Sequence, residues 1–270
     1  MMKISLSTKI LWKIDLVDAL KLIKEKGYDG AEIWVNQIQR DINDLQWFKE
    51  YLNQLGLEIT LHFSNDDLNL SSTNNQIRKI SVKQIEESIK LASKLDLEIL
   101  TVHPGRKTSS KDSIDRIWEL QLDSFCRLRD IAEEHGIYLG IENMEQRVKE
   151  IIILPWDVNR LISGLQSRYI GITLDLAHIA TIENTDTEKY ISELSEKIIH
   201  VHLSDSNKKI THLPLGWGKL NLSRMLFDLQ KVYDQNVVIE GYIPNKEIEV
   251  LENNFDVWQK IWKKKTEVTA

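Results

Sequence analysis

Glutamate, aspartate and histidine recur where the most apolar, β-branched runs of this chain end. Imidazole and carboxylate groups bind divalent metals and move protons in enzymes. Six of the seven histidines lie at, or shortly after, the end of such a run. If the runs are parallel strands, their carboxyl ends meet at one edge, where α/β barrels gather catalytic groups. The runs are LEITLHF at His62, LEILTVH at His103, YLGIEN at Glu142, YIGITLDLAH at Asp175 and His178, IIHVHLSD at His202 and VVIEGY at Glu240.

Three of these carboxylates would repel one another if they met in one pocket. Like charges a few Å apart in a partly dry site cannot all stay ionised, and either protonation or a cation relieves them. A divalent metal is the simplest relief for Glu142, Asp175 and Glu240. Together with His202 they form a mixed nitrogen and oxygen set, which suits Zn, Mn, Co or Mg better than copper or an iron–sulfur cluster. The sequence therefore predicts a divalent metal site and leaves the identity of the metal open.

Short apolar runs alternate with segments of helical periodicity along the chain. Several helical patterns end on a glycine, at Gly27, Gly56 and Gly136, which is a common stop signal. Eight strand–helix units in roughly 250 residues are typical of a (β/α)8 barrel. We therefore predict an α/β fold, a single (β/α)8 TIM barrel over residues 1–270. The predicted strands lie near residues 3–8, 29–35, 57–63, 97–103, 137–144, 169–175, 198–204 and 236–242.

Strand alternation indicates where the titratable side chains point. Residues two apart on a strand face the same side, which groups Thr60 with His62 and Gly140 with Glu142. The aliphatic residues between them, such as Leu61, are expected to pack on the surrounding helices. Long polar segments follow several strands and can build a pocket rim. The metal-binding side chains should therefore converge inside the barrel mouth.

Composition limits the class of protein. The net charge of −6 argues mildly against a surface built to hold polyanions, although a local basic rim remains compatible with it. The single cysteine, Cys126, excludes an internal disulfide. The first residues lack an uninterrupted apolar stretch, and no later run approaches the roughly 20 apolar residues of a membrane span. We expect a cytoplasmic protein with no membrane partner.

The motifs IENM, LDLAH, HVHLSD and VIEGY resemble the xylose isomerase-like barrels. That superfamily includes sugar phosphate isomerases and epimerases, hydroxypyruvate isomerase and endonuclease IV, and the resemblance covers nearly the whole chain. It implies that Glu142, Asp175, His202 and Glu240 match the four metal ligands of the ketose epimerases. It also implies that Glu142 and Glu240 are the catalytic proton-transfer pair, on opposite faces of the substrate, whereas Asp175 and His202 only hold metal.

Endonuclease IV resembles the chain further, because that family binds three zinc ions through additional histidines. Two positions depart from its pattern: Ile210 stands where the family has an aspartate, and Trp217 where a glutamate is often found. The third metal would thus lack its carboxylate, so the resemblance implies one or two ions and makes a third doubtful. The additional histidines, here also taken as metal ligands, are His62, His103, His178 and His212.

Three further residues are candidates for substrate binding. Trp34 and Trp217 lie on segments expected near the mouth and could wall a pocket against sugar carbons, but tryptophan is as often a core residue. Lys208 lies where related epimerases often carry an arginine that binds substrate oxygens. The alternative is that Lys208 is a solvent-exposed charge on a loop. Deeper in the barrel, His200 is expected to orient a neighbour, and Glu32 either touches substrate or forms an internal ion pair.

The leading hypothesis is a metal-dependent isomerase or epimerase of a small-molecule sugar or sugar phosphate, in which a carboxylate removes the proton next to a carbonyl and an enediolate is reprotonated. The alternative is an endonuclease IV-like zinc phosphodiesterase acting on abasic-site DNA, and DNA is a partner only in that case. A binding protein without turnover is a third class. The sequence leaves the substrate and any homo-oligomer open.

Overall fold

The fold was analysed in a computed structural model, which describes residues 2–64, 66–207 and 210–268, with side chains up to residue 262. Eight parallel strands close into one barrel in sequence order, with β1 paired to β8. The predicted (β/α)8 TIM barrel is confirmed. The strands are β1 (Lys3–Ser7), β2 (Gly30–Trp34), β3 (Glu58–His62), β4 (Ile99–Val102), β5 (Tyr138–Glu142), β6 (Ile170–Asp175), β7 (Ile198–Leu203) and β8 (Asn236–Ile239).

Helices follow the strands and pack around the barrel. Gly27, Gly56 and Gly136 follow three of them with φ of +102°, +71° and +69°, the left-handed conformation that ends a helix. Within the described ranges, none of the helices is long and apolar enough to cross a membrane. The helices are α1 (Leu16–Lys26), α2 (Val35–Asp41), α3 (Leu45–Leu55), α4 (Asn75–Lys94), α5 (Ile114–His135), α6 (Pro155–Leu165), α7 (Leu176–Ile179), α8 (Thr187–Leu194), α9 (Leu222–Leu229) and α10 (Glu247–Val268).

Most strand boundaries lie within one or two residues of the predicted ones, and two larger differences affect helix α4 and strand β8. Helix α4 begins well before its apolar stripe, because the Asn74 side chain accepts hydrogen bonds from the backbone of Gln76 and Ile77 and so caps the first turn. Strand β8 ends at Ile239, one residue before Glu240. Glu240 therefore stands just above the sheet, on the loop that forms the mouth.

Small residues line the barrel below the mouth. A Cβ atom at Gly140 would lie 2.0 Å from Oγ1 of Thr173, and that hydroxyl lies 2.9 Å from Oγ1 of Thr101. The alternating aliphatic residues, such as Leu61 and Ile141, belong instead to the buried hydrophobic core. This arrangement confirms the predicted alternation, and it places the titratable side chains above a layer of small and hydroxyl-bearing residues.

Candidate metal centre and active site

Four side chains from neighbouring strands meet at the mouth of the barrel. Glu142 ends β5, Asp175 ends β6, His202 lies on β7 next to Asp175 in the sheet register, and Glu240 follows β8. Each offers a ligand atom, and these atoms all lie within 4.8 Å of one another. Nδ1 of His202 lies 3.4 Å from Oε1 of Glu142 and 3.4 Å from Oε1 of Glu240. The structure thus brings together the four residues expected to hold metal.

This cluster has the properties of a cation site. Three carboxylates share a space in which Glu142, Asp175 and His202 are almost completely buried. Oδ2 of Asp175 and Nδ1 of His202 are both buried without a hydrogen-bond partner among the described residues. Buried polar atoms normally have a partner, and clustered carboxylates require a compensating positive charge. The four residues therefore fit a divalent cation bound by mixed nitrogen and oxygen ligands.

A second cluster shares Glu142 with the first. Nε2 of His103 lies 3.0 Å from Oε2 of Glu142, and Nε2 of His62 lies 3.6 Å from the same oxygen. Nδ1 of His62 donates to the carbonyl oxygen of Phe63 at 2.8 Å, so its Nε2 is the free ligand atom. The three ligand atoms lie within 4.8 Å of one another. Glu142 therefore contributes a ligand atom to both clusters.

The two glutamates of the first cluster have pKa values shifted in opposite directions. Burial alone would raise the pKa of Glu142, but the charge of His103 and close contacts with His62 and His202 hold it well below its ordinary value. Burial, with repulsion from Glu142 and Glu32, drives the pKa of Glu240 well above its ordinary value despite the nearby His202. A pair of carboxyl groups separated in this way suits a base and an acid.

Glu32 connects the deeper histidines to the site. Its Oε2 lies 3.0 Å from Nε2 of His200 and 3.1 Å from Nε2 of His202. The sequence left open whether Glu32 touches substrate or forms an internal ion pair, and these contacts are those of an ion pair inside the barrel. With Nε2 held by a carboxylate, His202 presents Nδ1 to Glu142 and Glu240, as second ring nitrogens commonly do in metal sites.

Asn143 fixes the position of Asp175 and was not found from the sequence. Its Oδ1 accepts from the backbone N–H of Asp175 at 2.8 Å, and its Nδ2 donates to the Asp175 carbonyl at 3.1 Å. Its own carbonyl accepts from Nδ1 of His178 at 2.7 Å. Its place directly after Glu142 is the one sequence signal that could have indicated this role.

Substitution Asn143→Ala is expected to weaken both the fold and the metal site. It leaves the buried N–H and C=O of Asp175 unpaired, at a cost of about 1–3 kcal/mol for each group that stays unsatisfied. Loss of such supporting hydrogen bonds typically lowers metal affinity about 10–100-fold. Urea unfolding and a metal titration measure the two effects. The matched control is Asn221→Ala, which removes the α9 cap and should lower stability by about 1 kcal/mol with unchanged metal affinity.

Two of the remaining candidates, Trp34 and Trp217, lie in the described part of the chain. The Trp34 ring stacks on the His62 ring at 4.3 Å and 3°, and its Nε1 donates to Oγ of Ser7. Trp217 is 40% exposed, with Nζ of Lys246 5.0 Å above its ring. Lys208 lies outside the described residues. Substrate binding by these three residues remains a prediction.

A cavity of about 350 Å³ opens beside the two clusters. Small-molecule pockets begin at about 300 Å³, so this volume is sufficient for a sugar-sized ligand. His103 from the second cluster reaches it, as do Arg106 and Arg147. Neither Trp34 nor Trp217 is among its lining residues. Apolar side chains from the β3 and β5 loops and from α4 form part of the wall, namely Phe63, Leu68, Leu70, Ile85 and Met144.

The chain belongs to the xylose isomerase-like TIM barrel family, whose model matches residues 20–261. It is 30% identical over 260 residues to an uncharacterized protein of Methanocaldococcus jannaschii, covering 93% of this chain and 96% of that one. It is 23% identical over 251 residues to the 3-dehydro-D-guloside 4-epimerase of Escherichia coli, covering 90% and 93%.

Two further similarities bear on the alternatives. A probable endonuclease 4 of Thermoplasma volcanium is 26% identical over 178 residues, which is 60% of each chain. Among solved structures, a D-tagatose 3-epimerase-like protein superimposes with a TM-score of 0.86 at 25% identity and covers 100% of both chains. Similarity to the epimerases thus extends over the full barrel, whereas the similarity to the endonuclease covers part of it.

Proposed function

We propose that this protein is a metal-dependent isomerase or epimerase of a sugar or sugar phosphate, with Glu142 and Glu240 as the proton-transfer pair. The observation that carries the proposal is the meeting of Glu142 and Glu240 in one cluster with Asp175 and His202, whose ligand atoms all lie within 4.8 Å of one another. Proton transfer in both directions requires one group that accepts and one that donates near neutral pH.

The full-length similarity to sugar epimerases supports the same substrate class. The relative of E. coli is named as an epimerase of a keto sugar derivative, and the similar solved structure as D-tagatose 3-epimerase-like. Such substrates carry an acidic C–H bond next to a carbonyl. The cavity beside the clusters is large enough for a monosaccharide.

The residues divide the reaction between them. Glu142, held ionised by the histidines, removes the proton from the carbon next to the carbonyl. Glu240, which lies across the cluster from Glu142, delivers a proton to the opposite face of the same carbon. Glu32 keeps His202 oriented between the two glutamates. A divalent cation held by Glu142, Asp175, His202 and Glu240 supplies positive charge that stabilises negative charge developing on substrate oxygens.

Solvent isotope exchange tests the proposal. Protein reloaded with Mn²⁺, Co²⁺, Zn²⁺ or Mg²⁺ is incubated in D2O with a panel of ketoses, keto glycosides and their phosphates, and NMR follows the products. We expect deuterium next to the carbonyl together with an epimer or isomer, and neither in chelator-treated protein. Absence of both products across the panel in metal-loaded protein refutes the proposal, and tight sugar binding without exchange assigns a binding protein instead.

The endonuclease alternative rests on the second cluster, since His62 and His103 add a second potential ion beside Glu142. The acidic net charge and Ile210 in place of the aspartate count against it. A duplex containing one abasic site, incubated with zinc-loaded protein, decides the matter. Strand cleavage at that site, lost in Glu142→Gln, would establish the phosphodiesterase.

A further inference from the structure

A third group of metal-binding side chains lies beside the two clusters that share Glu142. Ligand atoms of Glu145, His178 and His212 lie within 4.8 Å of one another. Glu145 follows β5 by three residues, His178 lies in α7, and His212 lies in the loop after β7. Glu145 and His178 are buried, and His212 is partly exposed. Three separate segments therefore bring two imidazoles and a carboxylate together.

The His178 imidazole is oriented as metal-binding histidines usually are. Nδ1 of His178 donates to the carbonyl of Asn143 at 2.7 Å, which leaves Nε2 unprotonated in the neutral ring, 3.8 Å from Oε1 of Glu145. The His212 ring stacks on that of His178, with centroids 5.0 Å apart. Nδ1 of His212 is buried and has no hydrogen-bond partner in the described part of the chain. His212 thus combines a buried ring nitrogen without a partner with a ligand atom within 4.8 Å of those of Glu145 and His178, which indicates a ligand site.

We propose that Glu145, His178 and His212 bind a divalent transition metal, and that Glu145 supplies the carboxylate that position 210 lacks. The hydrocarbon side chain of Ile210 cannot bind metal, and it is 55% exposed. Glu145 comes from the segment after β5, and an ion pair with Arg147 and a hydrogen bond from Thr211 hold its carboxylate. The sequence expectation that His178 and His212 have no carboxylate partner is therefore corrected by the position of Glu145.

The ligand set also indicates the class of metal and its access. Two imidazoles and one carboxylate suit Zn²⁺ or Co²⁺ better than Mg²⁺. Three protein ligands leave a fourth position for water or substrate, as in catalytic zinc sites. All three residues line the cavity of about 350 Å³, so the bound ion is within reach of a ligand there. This site does not depend on the reaction proposed above.

Counting ions tests the site without measuring activity. Chelator-treated wild-type protein and variants are titrated with Co²⁺, and bound metal is followed by visible absorption and by elemental analysis after gel filtration. Glu145→Gln should bind one ion fewer per chain than the wild type. The matched control is Glu150→Gln, which removes a carboxylate that lines the same cavity outside the trio and should keep the full number. An unchanged number of ions in Glu145→Gln overturns the proposal and leaves Glu145 with an ion-pairing role only.

A second variant covers the case in which Glu145→Gln does not fold, since that change also disturbs the contacts with Arg147 and Thr211. His212→Gln keeps both of these contacts and removes the unpartnered ring nitrogen. With a wild-type circular dichroism spectrum, it should lose the same ion. If His212→Gln binds as many Co²⁺ ions as the wild type, the trio is not a metal site, and the test by isotope exchange is unaffected.

Discussion

Glu240→Gln should slow the interconversion of two epimers by about 10³-fold, which is within the range that general acid–base groups contribute. Proton removal by Glu142 should continue in this variant. With Glu240 replaced, Glu142 can still remove and return a proton on its own face of the substrate. Deuterium from the solvent should then enter one epimer without inversion. Glu142→Gln should give the reciprocal result, with exchange into the other epimer only.

The reciprocal pattern separates proton transfer from metal binding, which both glutamates are also expected to serve. Loss of the cation would abolish exchange into both epimers, so each variant is assayed with excess metal and its bound metal is measured. Glu58→Gln is the control, because Glu58 begins β3 at the opposite end of the barrel and forms an exposed pair with Lys3. It should stay within about twofold of wild type. Wild-type turnover in a metal-loaded Glu142→Gln or Glu240→Gln variant would remove these residues from the mechanism.

The barrel and its main cluster could be predicted because their signals are local. Run YLGIEN combines β-branched and aliphatic residues with a terminal carboxylate, and the parallel arrangement then requires Glu142 to meet Asp175, His202 and Glu240 at one edge. Strand alternation further separates the residues facing the interior from those facing the helices. The two-residue alternation of strands and their parallel direction were sufficient to predict the barrel and this cluster.

Other parts of the site depend on loop paths and side-chain packing, which carry no periodic signal. Asn143 follows the last residue of β5, and its side chain holds both backbone groups of Asp175. Glu145 lies near His178 because the segment after β5 contacts the segment after α7, where the backbone N–H of Gln146 donates to the Thr181 hydroxyl. Trp34 was a candidate for the pocket wall, but its ring packs flat on His62.

Removing metal should also reverse the way in which stability depends on pH. In the metal-free protein, burial would lower the pKa of His202, but Glu240 and Glu32 raise it well above its ordinary value. Burial raises the pKa of Glu240 as well, and carboxylates around His178 raise its pKa despite burial. These groups bind protons more tightly in the folded than in the unfolded state. Their contribution to stability is therefore present at lower pH and lost as pH rises through the raised pKa values.

Above pH 6.5, the ordinary pKa of histidine, the free energy of unfolding of the metal-free protein should therefore decrease with pH. His200 and His212 have lowered pKa values, so their opposing effect declines above pH 6.5 as the unfolded histidines lose their protons. The free energy of unfolding of chelator-treated protein should thus fall between about pH 6.5 and 8, by up to about 1.4 kcal/mol per pH unit for each proton released.

Metal-loaded protein should behave in the opposite way over the same range. A cation binds the deprotonated ligands, so its affinity increases with pH, and a free metal concentration a thousandfold above Kd adds about 4 kcal/mol of stability. Urea unfolding of stripped and reloaded samples at several pH values measures both slopes. His202→Gln should flatten the fall in the stripped protein, because it removes one of the raised pKa values. If the stripped and reloaded proteins have the same stability throughout, the buried carboxylates and imidazoles at the barrel mouth do not bind a cation.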